Sequence, residues 1–195
     1  MLFFVETSAV IEYTLWFDKS LCGIWTETVT TFLGFLKSKN VPVVISKTAF
    51  DEAVREIPNS INHLIDKLNP HRRGQLRALM INKSRERFRK FHSNVTVLSL
   101  QGDVGAVNAF YKSLLNDKTT KAKLEQIRQF KHRARILPED SDMLILSEAI
   151  SLVKKNETHF ISKDEDFCAF KDEIKAKFDI SIEPVQTLLT LRDNL

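Results

Sequence analysis

The stretch Pro138 to Phe170, PEDSDMLILSEAISLVKKNETHFISKDEDFCAF, decides how the rest of the chain is read. Met143, Leu144, Ile145, Leu146, Ala149, Ile150, Leu152 and Val153 are apolar on nearly every face, the pattern of a helix buried against a sheet. Asp142 falls in the first turn of that helix. His159 to Ser162 fits a buried strand, and Asp164 follows where a parallel strand hands over to a loop. Both acids are then expected on one rim. Each also has a purely structural reading. Asp140, Ser141 and Asp142 suit a helix N-terminus on capping and dipole grounds, and Asp164 suits an Asx-turn or N-cap ahead of a helix starting near Glu165.

Outward from this stretch, strands and helices alternate. Leu2 to Val5 reads as a central strand ending at Glu6, followed by a helix capped by Thr7 or Ser8. Ile24 to Ser38 reads as a helix with Trp25, Val29, Phe32, Leu33 and Leu36 on one face. Asn40 to Ser46 is a turn and strand, and KTAFDEAVREI a helix stopped by Pro58. Pro58 to Phe91 is helical with a break at Asn69 and Pro70. Leu76, Leu79, Met80, Phe88 and Phe91 lie on one side of its second half, opposite a basic side. Val95 to Leu100 gives a third strand and Asp103 to Asn116 a helix. Lys118 to Arg135, with only Leu124, Ile127 and Phe130 as apolar anchors, predicts a protruding or mobile helical arm. Glu165 to Phe178 reads as a helix, Ile180 to Glu183 as a last strand and Val185 to Leu191 as a closing helix. Such alternation predicts an α/β three-layer sandwich, a mainly parallel sheet of about five strands with helices on both faces. We expect one domain over residues 1–195, with a basic helical insertion at roughly 58–135.

Composition narrows the function classes. A chain of 195 residues, 43% hydrophobic and 28% charged, is ordinary for a soluble globular domain. No apolar run approaches a membrane span, and MLFFVETS lacks the basic segment and apolar core of a signal peptide, so a cytoplasmic protein without membrane partners is expected. Cys22 and Cys168 lack metal-ligand spacing, the five histidines form no ligand pair, and no glycine-rich phosphate loop is present. The net charge of +4 conceals a segregation: Lys67 to Arg135 holds 17 Lys/Arg against four acids, +13, which leaves −9 elsewhere. A basic pole beside an acidic one fits a protein that grips a polyanion with the first and holds metal with the second; a solvated helical face is the plainer alternative. Arg72, Arg73, Arg77, Arg85, Arg89, Lys131, Arg133 and Arg135 are the candidate nucleic-acid contacts.

In a parallel sheet, ligands bind at the carboxyl edge of the strands. Glu6 and Asp164 follow strands, Asp142 opens a helix, and Glu52 lies within two turns of a strand end, although Glu52 also has Arg55 or solvent to face. At separations of roughly 5 to 6 Å each pair of these four carboxylates repels by about 3 kcal/mol at an effective dielectric near 20. Either protons are taken up or a hard divalent cation sits among them; carboxylate oxygens suit Mg²⁺ or Mn²⁺. A phosphodiester is the natural substrate, because the cation withdraws charge from the phosphoryl oxygens and activates water.

The phrases FVETSAVIE, VVISKTAFDEA, DSDMLILSEAI and HFISKDEDF, in that order, resemble the four signature segments of the PIN-domain nucleases. The resemblance runs from Leu2 to about Pro184. It implies a metal-dependent endoribonuclease with Glu6, Glu52, Asp142 and Asp164 in the catalytic carboxylate positions and Asp166 near them. Among these, Glu6, Asp142, Asp164 and Asp166 are the expected ligands of Mg²⁺ or Mn²⁺, and Thr7 or Ser8 orients the first carboxylate or a water. Glu6 stands where the family usually has Asp, and the Pro58 to Arg135 segment is longer than in compact toxin-type members. The expected substrate is single-stranded or structured RNA, and the resemblance makes a homodimer plausible. Other readings are a catalytically degenerate module that binds RNA or a protein partner, a toxin with an antitoxin-like partner, and a phosphatase-like hydrolase.

Overall fold

A computed structural model describes residues 1–15, 26–66 and 73–195, Arg73 by its backbone alone. Trp25, Cys22, the Asn69–Pro70 break, Arg72 and the Arg73 side chain lie outside the described residues. The described strands are β1 Leu2–Val5, β2 Val43–Ser46, β3 Thr96–Leu98, β4 Thr158–Ser162 and β5 Ser181–Pro184. They form one sheet in the order β3-β2-β1-β4-β5, with every neighbouring pair parallel. The expected α/β architecture is the observed one.

β1, β2 and β4 are buried along their whole length; β1 is apolar throughout, whereas β2 ends on buried Ser46 and β4 buries Thr158, His159 and Ser162 beside Phe160 and Ile161. Alternate residues serve opposite faces. Phe3 packs edge-on against Phe32 of α2 (Thr26–Ser38), while Phe4 stacks on Phe160, which meets Phe167 of α8 (Glu165–Cys168) edge-on. The strand order reverses between β1 and β4, so the crevice beyond their carboxyl ends is where such a sheet accepts ligands.

Between β1 and β4 lie α1 Thr7–Thr14, α2, α3 Lys47–Asp66, α4 Arg73–His92, α5 Val104–Leu114, α6 Lys118–Phe130 and α7 Asp140–Val153. After β4 come α8, α9 Lys171–Phe178, a 3₁₀ turn Val185–Thr187 and α10 Leu188–Asp193. Among the described residues no helix is long and apolar enough to cross a membrane.

Several boundaries differ from expectation, each for a tertiary reason. Pro58 does not stop α3, which continues to Asp66. An interior proline costs about 3 kcal/mol; burial of Ala49 and Ala53 in the main core and of Ile57, Ile61 and Ile65 beside Leu15 and Met80 offsets it. On α4, Met80, Ser84 and Phe91 are buried, but Leu79 faces solvent and Leu76 is half-buried, so the apolar stripe is narrower than expected. Only three residues of the expected third strand pair, with β2, at a sheet edge. The single helix expected over Glu165 to Phe178 is two, because fully buried Phe170 inserts into the core at the junction, edge-on to Tyr111.

The expected protruding arm is instead docked. Leu124 and Ile127 of α6 are buried in the main core, leaving Phe130 exposed. Its last turn delivers Lys131 and Arg133 into the acidic rim.

Candidate acidic site

The first carboxylate is built into the backbone. Glu6, only 3% exposed, is itself the N-cap of α1, a role expected of Thr7 or Ser8. Its Oε1 accepts from the Ser8 N–H at 2.9 Å. Its Oε2 accepts from the Ser8 hydroxyl and, at 2.9 Å, from the Ser162 hydroxyl at the end of β4. Those hydroxyls in turn accept from the backbone N–H groups of Lys163 and Asp164, each at 2.9 Å. Glu6 is therefore a clamp that fixes the β4–α8 turn to the end of β1. Burial, and then the neighbouring Asp164 charge, push its carboxyl up to about 8 against those hydrogen bonds.

Asp164 is the N-cap of α8, its Oδ1 accepting from the Asp166 N–H at 2.8 Å, so its capping reading is also correct. Asp142 stands in the first turn of α7, whose N-cap Glu139 makes no side-chain capping bond. One carboxylate oxygen from each of Asp142, Asp164 and Asp166 lies within 4.8 Å of the others. Three anions this close need compensation, and two kinds are present. Burial, then Asp164, push Asp142 up to about 7, with Lys131 opposing and Asp166 and Glu52 adding to the rise.

The other compensation comes from the chain itself. Lys131 Nζ lies 2.6 and 2.7 Å from the two oxygens of Asp164 and 2.6 Å from Asp166 Oδ2. The Arg133 guanidinium forks onto Asp166 with two bonds of 2.9 Å. Arg133 is 7% exposed and Asp166 0%, so this is a buried pair. Burial works against the Lys131 charge, yet Asp164 and Asp166 hold its pKa above the ordinary lysine value. Protons or a dication were the two expected remedies for crowded acids, and satisfaction by a neighbouring lysine or arginine was the arrangement expected to count against a metal; Asp164 and Asp166 have it, whereas Asp142 has no ion pair among the described residues. Tyr111, fully buried, donates to the Asp166 backbone carbonyl at 2.6 Å.

Glu52 stands apart from the triad. It accepts from the Thr7 hydroxyl at 2.6 Å and lies 3.7 Å from Arg55, the pairing that sequence had offered as its plainer role. Its charge still reaches Asp142. The structure thus gathers Asp142, Asp164 and Asp166, uses Glu6 to position the turn that carries two of them, and leaves Glu52 as a neighbour. Asp142, Asp164 and Asp166 could hold a metal ion through one carboxylate oxygen each.

Of the expected nucleic-acid contacts, Lys131 and Arg133 face the acids, and Arg135 makes an exposed pair with Asp140 at 3.3 Å. Arg77, Arg85 and Arg89 are exposed on α4, which packs on α1 and α3. Sequence offered no signal for the Lys131 and Arg133 pairings, because they join residues more than 30 positions apart. Cys168 is a free thiol pushed up to about 12, chiefly by burial.

No family model, no curated protein and no solved structure matches this chain.

Proposed function

We propose that this is a PIN-like hydrolase of RNA phosphodiester bonds that works with Mg²⁺ or Mn²⁺. One observation carries the reading: three carboxylates from two elements converge within 4.8 Å at the strand-order reversal of a parallel sheet. Asp142, Asp164 and Asp166 would hold the cation. When bound, the cation supplies Lewis acidity, drawing charge from the phosphoryl oxygens and stabilising the leaving oxygen. Glu6 holds the turn that presents Asp164 and Asp166. Without the cation, burial and then Asp164 hold the Asp142 carboxyl up at about 7, so taking up the cation would release a proton from it. The exposed Arg77, Arg85 and Arg89 would take flanking phosphates.

The test incubates the protein with Mn²⁺ and end-labelled RNA alongside an Asp142→Asn, Asp164→Asn double variant. Cleavage by the wild type alone, abolished by chelator, supports the reading; equal, metal-independent cleavage by both ends it.

The second reading, a non-cleaving RNA-binding or protein-binding module, is favoured by the Lys131 and Arg133 pairs, which already neutralise Asp164 and Asp166. It predicts RNA retention in a filter assay with no cleavage at any Mn²⁺ concentration.

A further inference from the structure

We propose that the Lys131 ammonium occupies the seat that a divalent cation would take between Asp164 and Asp166, so that cation entry and expulsion of Lys131 are one event. This rests on the metal-site reading above and specifies how that site is controlled. Nζ meets three carboxylate oxygens from two side chains at 2.6 to 2.7 Å, one for each of its three protons. Both Asp164 oxygens are taken in this way, and Asp164 Oδ1 also receives the Asp166 N–H. Mg²⁺ bonds to oxygen at about 2.0–2.1 Å in a near-octahedral shell. A cation on these same oxygens would sit against Nζ, like charge against like, and each excludes the other.

The surroundings allow the lysine to leave while the rest of the segment stays. Lys131 is the C-cap of α6, and His132 follows with φ 52, in the left-handed region. Across that reversal Lys131 meets Asp164 and Asp166 and Arg133 meets Asp166. Arg133 is the inner anchor at 7% exposure, whereas Lys131 at 24% lies on the solvent side of the cluster. Ser, Thr or Ala at position 131 would supply no such cation; the long flexible stem of lysine both reaches the seat and can withdraw from it. The ammonium thereby keeps the metal-free site neutral enough to fold and sets the threshold concentration of cation that the site answers to.

The decisive measurement uses the wild-type protein. Acetic anhydride labelling of Lys131 is followed by mass spectrometry against exposed Lys177 as internal reference, with and without saturating Mn²⁺. Lys131 should label about ten-fold more slowly than Lys177 without metal and approach its rate with Mn²⁺ bound, as expected for a two-state displacement. In parallel, a Lys131→Met variant, checked for folding by circular dichroism, should bind Mn²⁺ about ten-fold more tightly by equilibrium dialysis. Mn²⁺ bound to the wild type with Lys131 labelling unchanged overturns the proposal and leaves the metal site standing. Unchanged affinity in a folded Lys131→Met protein overturns it likewise. Binding by Lys131→Met alone supports the exclusion, binding by the wild type alone overturns it, and failure of both proteins to bind Mn²⁺ removes the proposal together with the site beneath it.

Discussion

Glu6 shows how far a single side chain can organise a site without belonging to the acidic triad. Its carboxyl receives three hydrogen bonds, one of them from Ser162, which lies 156 positions away in sequence. Glu6→Ala leaves those donors buried without an acceptor and removes the cap of α1. We expect a loss of about 2–4 kcal/mol, read as a lower urea midpoint. Asp142 behaves in the opposite sense. In the metal-free protein its charge is resisted by burial and by Asp164, so Asp142→Asn should raise the melting temperature in chelator at pH 8 while weakening Mn²⁺ binding. A variant less stable than wild type under those conditions would contradict the crowding.

At the scale of the element, packing overrides local preference. α3 runs through Pro58 because the apolar stripe on either side of it is buried, and α6 docks on Leu124 and Ile127 although most of its surface is polar. The loop before α5 passes so close to α7 that a Cβ on Gly102 would collide with the Ser147 and Glu148 backbone. Gly102→Ala should therefore destabilise by about 1–3 kcal/mol, seen as a drop in melting temperature. α4 has a separate role to test. If Arg77, Arg85 and Arg89 each neutralise one phosphate, replacing all three with Gln reduces the slope of log affinity against log salt by about 2 for single-stranded RNA. An unchanged slope would return α4 to a solvated face.

For the whole molecule, the acidic rim makes stability depend on pH. Glu6 and Asp142 both have carboxyl pKa values raised on folding, from 4.5 to about 8 and from 3.8 to about 7. Between the unfolded and folded values the native state binds more protons than the unfolded chain, so stability falls as pH rises. The contribution is complete below about pH 4 and is lost as pH climbs through 7 and 8, with each protonated group adding up to about 1.4 kcal/mol per pH unit. Urea midpoints in chelator should be higher at pH 5.5 than at pH 8.5; the reverse order would mean that these carboxyls are not held in the described environment. Bound Mn²⁺ should flatten the profile, because it favours the charged carboxylates.

The sequence by itself determined the parallel sheet, its flanking helices and the rim that carries the acids. A strand buried on both faces and a helix buried against it are rich in apolar residues, and an acid just after the one or in the first turn of the other falls at the rim; these constraints act within a few residues and leave a local trace. Asp142 and Asp164 were legible for that reason, whereas Asp166 was expected only from the resemblance to the PIN-domain nucleases. What only the tertiary structure decided is the state of those acids: Glu6 tied to Ser162, Glu52 drawn off to Thr7 and Arg55, and Lys131 and Arg133 brought in from the end of α6. Charge compensation acts through space between side chains far apart in sequence, and neither spacing nor propensity encodes which distant cation reaches which carboxylate.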